Sequence, residues 1–385
     1  MIAHIVHREK FTSGYVNFMK TEMNQYTHVF IILSKGFALE LSDLNGVIFI
    51  DSFHLASKSK DILELLSSAD YIIATGIFDS IDMLWQLPST LLNKLYLHLW
   101  GGDFYFLEEK RSFIRYHWQI KKQKYLFCFK KCAGLIFLIN GEYEKFNELT
   151  SIKKRYFIAP MPTDPVQNFE IKEFRNKRRH DNYVNILVGN SATMTNRHEE
   201  VFRWLAAYKE KNINVHVPLS YGNEKYRNDV IERGKKILGK CFIPILDYMD
   251  GKKYTDFLAG IDIGIFNNNR QQAMGNIITL LGLGKKLYLR TDTSMWKQYM
   301  DKGYIIFPFD SSQDIPFKEF TQFTGEAGYM NMKNYDEQQN IEVAKCAWES
   351  VFSAGGVILL LINRRKIYIE PSYSHKHLEI SVEAA

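Results

Sequence analysis

Short β-branched and aromatic runs alternate along this chain with longer stretches whose apolar positions recur at helical spacing. Residues 3–7, 28–33, 47–51, 71–75, 95–100, 134–139 and 155–158 are near-continuous apolar runs that predict strands, with helices over 60–67, 106–127 and 142–149 among them. Strands that are apolar on both faces and separated by helices indicate a parallel sheet covered on two sides. From residue 160 to 182 the texture changes. Apolar residues thin out and a basic cluster appears, Arg175, Lys177, Arg178 and Arg179, which reads as a linker between domains. The alternation then restarts, with strands predicted at 184–188, 214–219, 241–246, 261–266 and 286–290 and helices at 197–210, 224–238, 252–259, 276–283 and 294–302.

The pattern therefore predicts an α/β protein of two Rossmann-like domains facing across a cleft: 1–160, a linker over 161–183, a second domain over 184–352 and a tail over 353–385. Ligands of such folds bind outside the carboxyl ends of the strands. A helix over 342–352 leads into the tail, where a strand pair turning at 363–365 is predicted, and residues 372–385 carry no functional signal.

A length of 385 residues agrees with two domains. Apolar runs reach eight residues at most, against about 20 for a membrane-spanning helix, so no span is expected. The opening MIAHIVHREK reads as a first strand rather than a signal peptide, which predicts a cytoplasmic protein. Four cysteines, Cys128, Cys132, Cys241 and Cys346, are too few for a disulfide framework, and the Cys128/Cys132 spacing lacks the second pair a zinc site needs. No histidine pair, paired-carboxylate motif or Ca²⁺ loop appears, so neither metal nor cofactor is predicted.

Several strand ends carry candidate chemistry. His98-Leu99-Trp100-Gly101-Gly102-Asp103 places a carboxylate after two glycines at the sheet edge. Asp103 there is either a general base for a hydroxyl or the cap of the next helix. The segment from Gly189 through Asn190 and Ser191 to Asn196 follows a strand and opens a helix, which suits an anion site or an ordinary Ser/Thr/Asn cap. The run from Asn267 to Asn276 offers Arg270 as a fixed charge, Gln271 and Gln272 as amides, and Gly275 where a ligand needs close backbone approach. A cation beside a helix N-terminus suits a diphosphate. Tyr221 ends another strand and is either a stacking ring or part of a plain turn.

Charge totals +6, and its placement matters more than its sum. Residues 110–131 hold eight Lys/Arg, including Arg111, Arg115, Lys121, Lys122 and Lys124, and no Asp or Glu. Phe113, Tyr116, Ile120 and Phe127 recur on one face of the helix predicted there. A basic amphipathic helix suits a membrane surface, a solvated helix face remains the alternative, and no nucleic-acid motif accompanies it.

Together these segments resemble the bacterial Fuc4NAc transferases of glycosyltransferase family 56. The resemblance rests on residues 98–103 with Tyr105, on Pro162 and Asp164, and on residues 187–191 with Asn196 and His198. It continues through Val217, Pro218, Tyr221 and Gly222 to Arg270, Gln271, Gln272, Gly275 and Trp296. It implies a GT-B fold, with the acceptor half first and the nucleotide-sugar half second. It further implies transfer of a 4-acetamido-dideoxy hexose from a TDP- or UDP-linked donor to a polyprenyl-diphosphate-linked saccharide. The anomeric centre would invert without a metal, at the cytoplasmic face of the membrane. Within it Asp103 is the leading base, followed by His98 and His7, and Gly189, Asn190, Ser191, Tyr221, Arg270, Gln271, Gln272 and Gly275 bind the donor. The loop 191–195 and the run 267–269 depart from the enterobacterial pattern. Two other readings share the layout: a nucleotide-sugar epimerase, and a non-catalytic nucleotide-sugar-binding module.

Overall fold

A computed structural model describes residues 1–353 except 10, 37–40, 42, 53–55, 57, 79, 109–115, 163–164 and 176–181. Two parallel sheets form its two halves. The first has the strand order β3-β2-β1-β4-β5-β6-β7, built from β1 (Ile2–Arg8), β2 (His28–Gly36), β3 (Val47–Ile50), β4 (Tyr71–Thr75), β5 (Leu95–Leu99), β6 (Gly134–Phe137) and β7 (Tyr156–Ile158). The second has the order β10-β9-β8-β11-β12-β13, from β8 (Val184–Val188), β9 (Ile213–Pro218), β10 (Phe242–Ile245), β11 (Ile263–Phe266), β12 (Lys286–Leu289) and β13 (Phe307–Pro308). Each strand expected before residue 353 is present, its ends within three residues of expectation, and β13 is an addition.

Alternation along the strands explains why the runs are apolar throughout. In the first sheet Ile5, Ile72, Leu97 and Leu135 enter one core layer, while Val6, Ile73, Tyr96 and Ile136 enter the opposite one. Register fixes which residues share a face: Ile5 lies opposite both Ile31 and Ala74, and Leu97 opposite Ala74 and Leu135. Strand order reverses on either side of β1 and of β8. The loops leaving β1, β4, β8 and β11 therefore border the crevices where such sheets bind ligands.

Three expectations are corrected. The segment expected to be a linker forms the helix Pro165–Phe174, and its Ile171 is buried in the second half's core with Leu258, Leu281 and Tyr335. Arg175 extends that attachment, its Nε donating to the Gly282 carbonyl at 2.8 Å and its guanidinium pairing with Asp336 at 2.9 Å. Next, of the expected 106–127 helix, Phe106–Glu108 forms a single 3₁₀ turn after the short helix Gly102–Tyr105, and the helix described is Tyr116–Lys131. Last, the helix Ile341–Ser353, grouped by sequence with the second half, packs on the first. Trp348 is fully buried against Tyr15 and His98, with ring centroids 5.6 and 5.2 Å away, and its indole N–H donates to the Pro160 carbonyl at 3.2 Å. The predicted strand pair beyond 353 lies outside the described residues.

Candidate active site

The first half offers an aromatic rim. Trp100, at the end of β5, stands edge-on to Phe11 and Phe78, with centroids 6.2 and 6.5 Å away, and both phenylalanines are exposed. Asp103 lies behind this rim rather than on it. It is wholly buried, with Oδ1 accepting the Ile77 N–H at 3.0 Å and Oδ2 accepting the Trp100 N–H at 2.8 Å. The carboxyl thus ties the loop leaving β4 to the loop leaving β5, and burial pushes its pKa up to about 7. His98 is further from the rim. Alternation puts it on the Tyr96 side of the sheet, where Nε2 bonds the Ala159 carbonyl at 3.1 Å and burial holds its pKa down to about 4. His7 is buried at the end of β1. Glu9, just beyond, reaches close enough to Tyr221 of the second half to help raise that phenol's pKa, though burial raises it more.

The second half supplies a polar mesh. Gly189 takes φ +67°, and a Cβ there would meet Asn196 Oδ1 at 2.7 Å and His198 Nε2 at 2.8 Å, so only glycine allows the turn. Asn196 organises the loop: its Oδ1 accepts the Asn190 N–H at 3.2 Å and the Asn268 amide at 2.9 Å, and its Nδ2 donates to the Ser191 and Thr193 carbonyls. Gln272 joins this loop to the one leaving β11, its Nε2 donating to Asn190 Oδ1 at 2.9 Å and Thr193 Oγ1 at 3.0 Å. Tyr221 accepts from Asn190 Nδ2 at 2.9 Å while half of its surface stays exposed. The helix Met274–Gly282 opens at the same edge, and a Cβ on Gly275 would meet nothing within 4 Å, so there is room at its N-terminus.

The halves meet where β5 and β11 end. The Gly101 N–H donates to Gln271 Oε1 at 2.7 Å, and a Cβ on Gly101 would lie 2.4 Å from the Gln271 carbonyl oxygen. Gln271 was expected to offer its amide to a ligand; instead it is buried in this interdomain contact. Arg270 reaches the same seam, its Nη1 lying 3.7 Å from where a Cβ on Gly102 would stand, and its charge lowers the pKa of both Asp103 and Glu142. Glu142 is the residue the sequence reading missed: a buried carboxyl whose pKa burial pushes up to about 7. Its one sequence signal is its place at the start of a helix just after a strand.

The basic helix differs in detail from expectation. Its buried stripe is Tyr125, Cys128 and Phe129, followed by Cys132, while Ile120 and Phe127 are only partly covered and Phe113 lies outside the described residues. Lys121, Lys122 and Lys124 stand over the rings of Phe106, Trp118 and Trp85 at 5.5, 5.2 and 5.8 Å, and Lys124 also pairs with Asp82 at 2.5 Å. Arg111 and Arg115 lie outside the described residues. No helix among those described is long and apolar enough to cross a membrane.

Two parallel-sheet halves meeting at their strand ends, with a polar, cationic rim on one and an aromatic rim on the other, form the GT-B fold. Solved structures show the same architecture. A glycosyltransferase from Rickettsia africae is 12% identical, with a TM-score of 0.59 over 92% of this chain and 98% of that one. WaaG, a glycosyltransferase involved in lipopolysaccharide biosynthesis, is 12% identical, with a TM-score of 0.62 over 92% and 99%. An E. coli trehalose-6-phosphate protein bound with UDP-2-fluoro glucose is 10% identical, with a TM-score of 0.63 over 93% and 99%. The chain belongs to the 4-alpha-L-fucosyltransferase glycosyl transferase group 56 family, whose model it matches over residues 20–315.

Proposed function

We propose that this glycosyltransferase moves a hexose, of the 4-acetamido-dideoxy type, from a TDP-linked donor to a saccharide carried on polyprenyl diphosphate, with inversion and without a bound metal. One observation carries the donor half of the reading: Arg270 and the open N-terminus of the helix Met274–Gly282 lie on one edge of the cleft. A departing nucleoside diphosphate gains charge at its β-phosphate, and a fixed guanidinium with aligned N–H groups stabilises that charge. Asn190, Ser191 and Gln272 border the same space, and Tyr221 presents a half-exposed ring to the sugar or base. The UDP-2-fluoro glucose in the E. coli structure of like fold supports a nucleotide-sugar donor.

In the reaction the acceptor hydroxyl oxygen attacks the anomeric carbon as the bond to the diphosphate oxygen breaks on the opposite face, and the hydroxyl proton passes to a base. Asp103 is enclosed with both oxygens accepting N–H groups, so its part is to hold the aromatic wall that orients the acceptor. The proton acceptor then belongs to the groups that end β1 at the strand-order reversal, Glu9 and His7. The lysines of the helix Tyr116–Lys131 support an acceptor presented at an anionic membrane surface.

The deciding measurement is calorimetric titration of TDP and UDP into wild type and Arg270→Ala, each with and without chelator. Binding that chelator leaves unchanged and Arg270→Ala abolishes supports the donor site. Wild type that binds neither nucleotide, or an Arg270→Ala variant that binds like wild type, overturns it.

A further inference from the structure

Glu142 starts the helix Glu142–Thr150 and is 2% exposed, between the two halves. Its Oε1 accepts the phenol O–H of Tyr105, from the first half, at 2.8 Å and the hydroxyl of Ser294, from the second half. Its Oε2 is buried with no hydrogen-bond partner. Enclosing a carboxyl this way is costly, so packing alone does not account for it.

The loop carrying Glu142 is keyed into the second half. Ile139 lies in that half's core beside Leu289 and Met295, and the Asn140 N–H donates to Gln298 Oε1 at 3.2 Å. Ser294 is the first residue of the helix Ser294–Asp301, so the carboxyl faces the end of that helix which favours negative charge. On the other side, Tyr105 closes the short helix that begins beside Gly101, whose N–H holds Gln271, the neighbour of Arg270. One oxygen thus receives a hydroxyl from each half, within reach of the Arg270 charge. Two O–H donors converging on a single atom need an acceptor with no proton of its own at that atom, which a carboxylate or an amide oxygen provides and a hydrocarbon does not.

We propose that Glu142 is a positioning residue for sugar transfer: it holds Tyr105 and Ser294 in one register, so that Arg270 meets the donor at a set distance from the acceptor wall. The kinetic part rests on the donor reading above; the geometric part does not. Glu142 touches neither substrate, and its effect on rate comes through alignment, where an error of about 1 Å can cost about a hundredfold.

The test compares Glu142→Ala, Glu142→Gln, Ser294→Ala and the double variant Tyr105→Phe/Ser294→Ala in the full chain. Small-angle scattering without ligand, TDP binding, thermal unfolding and transfer kinetics are read for each. Glu142→Ala is expected to enlarge the radius of gyration, leave TDP affinity near wild type and lower kcat about 10- to 100-fold. Glu142→Gln, which keeps an acceptor oxygen, is expected to recover most of that rate. The double variant is expected to fall no lower than Glu142→Ala, because all three remove one shared joint. Unchanged scattering in Glu142→Ala overturns the joint whether or not TDP proves to be the donor nucleotide. Unchanged kcat with a lowered melting temperature overturns the positioning role and leaves packing. If Glu142→Ala does not fold, Ser294→Ala carries the same readings. Wild type that binds no TDP sinks the donor reading alone, since the scattering comparison stands without it.

Discussion

Asp103 and His98 sit five residues apart, and the fold makes them opposites. The carboxyl is pushed up to about 7 and the imidazole held down to about 4, both chiefly by burial. An unfolded carboxyl titrates near 3.9 and an unfolded imidazole near 6.5, about the usual values. Folded Asp103 binds its proton more tightly than the unfolded chain does, so its contribution to stability is present at low pH and lost as pH rises towards 7. Folded His98 binds its proton less tightly, so its contribution is present above about 6.5 and lost as pH falls towards 4. Melting temperatures measured between pH 4 and 7 should therefore shift in opposite senses. Asp103→Asn should steepen the rise of stability with pH, and His98→Gln should flatten it. Equal slopes in the three proteins would contradict the burial argument for both groups. Asp103→Asn should also cost about 1–3 kcal/mol at low pH, since its amide NH₂ would face an N–H that had an oxygen acceptor. That a carboxyl follows β5 is legible in sequence. That it accepts the N–H of Ile77, 26 residues away, depends on β4 and β5 being neighbours, which no local pattern states.

Elements were more legible than single residues, because parallel strands buried on both faces leave an unbroken apolar run. The helix Pro165–Phe174 was misread for a specific reason. Its thin apolar pattern and basic neighbours read as a linker, yet Pro165 sits at the first helical position, where it lacks only an N–H that has no partner there anyway. The helix Tyr116–Lys131 was legible as basic but not as to its face. Tyr125, Cys128 and Phe129 turn inward, and the lysines stand over rings contributed partly by other segments. Each exposed lysine near an anionic surface contributes about 1 kcal/mol. Replacing Lys121, Lys122 and Lys124 together by glutamine should weaken partitioning onto phosphatidylserine vesicles by about a hundredfold. Lys121 and Lys122 should account for most of the loss, because Lys124 is already paired with Asp82. Co-sedimentation with anionic and neutral vesicles measures it, and equal binding to both would remove the surface reading.

At the scale of the whole molecule, the two halves are not consecutive pieces of chain. The helix Ile341–Ser353 comes back to the first sheet and buries Trp348, Val351 and Phe352 there. Trp348→Ala removes a fully buried indole and its bond to Pro160, and should cost about 3–5 kcal/mol. The loss should fall on the first half, so nucleotide binding by the second should survive at temperatures where the first has begun to unfold. Paired calorimetric and nucleotide-binding melts separate the two, and a single unchanged transition would contradict the assignment of this helix to the first sheet. Composition alone could not reveal it, since an amphipathic helix carries no label for the sheet it covers.

The return of that helix also governs how the chain is born. Pro160 and Trp348 are 188 residues apart, and translation proceeds at about 5–20 residues per second. For roughly 10–40 seconds after its last strand has been made, the first half exists on the ribosome with one side of its sheet covered by the helix Thr12–Thr21 but not yet by Trp348 and its neighbours. A nascent chain stalled between Pro308 and Trp348 should therefore hold a digestible, chaperone-dependent first half beneath a second half whose strands are all made.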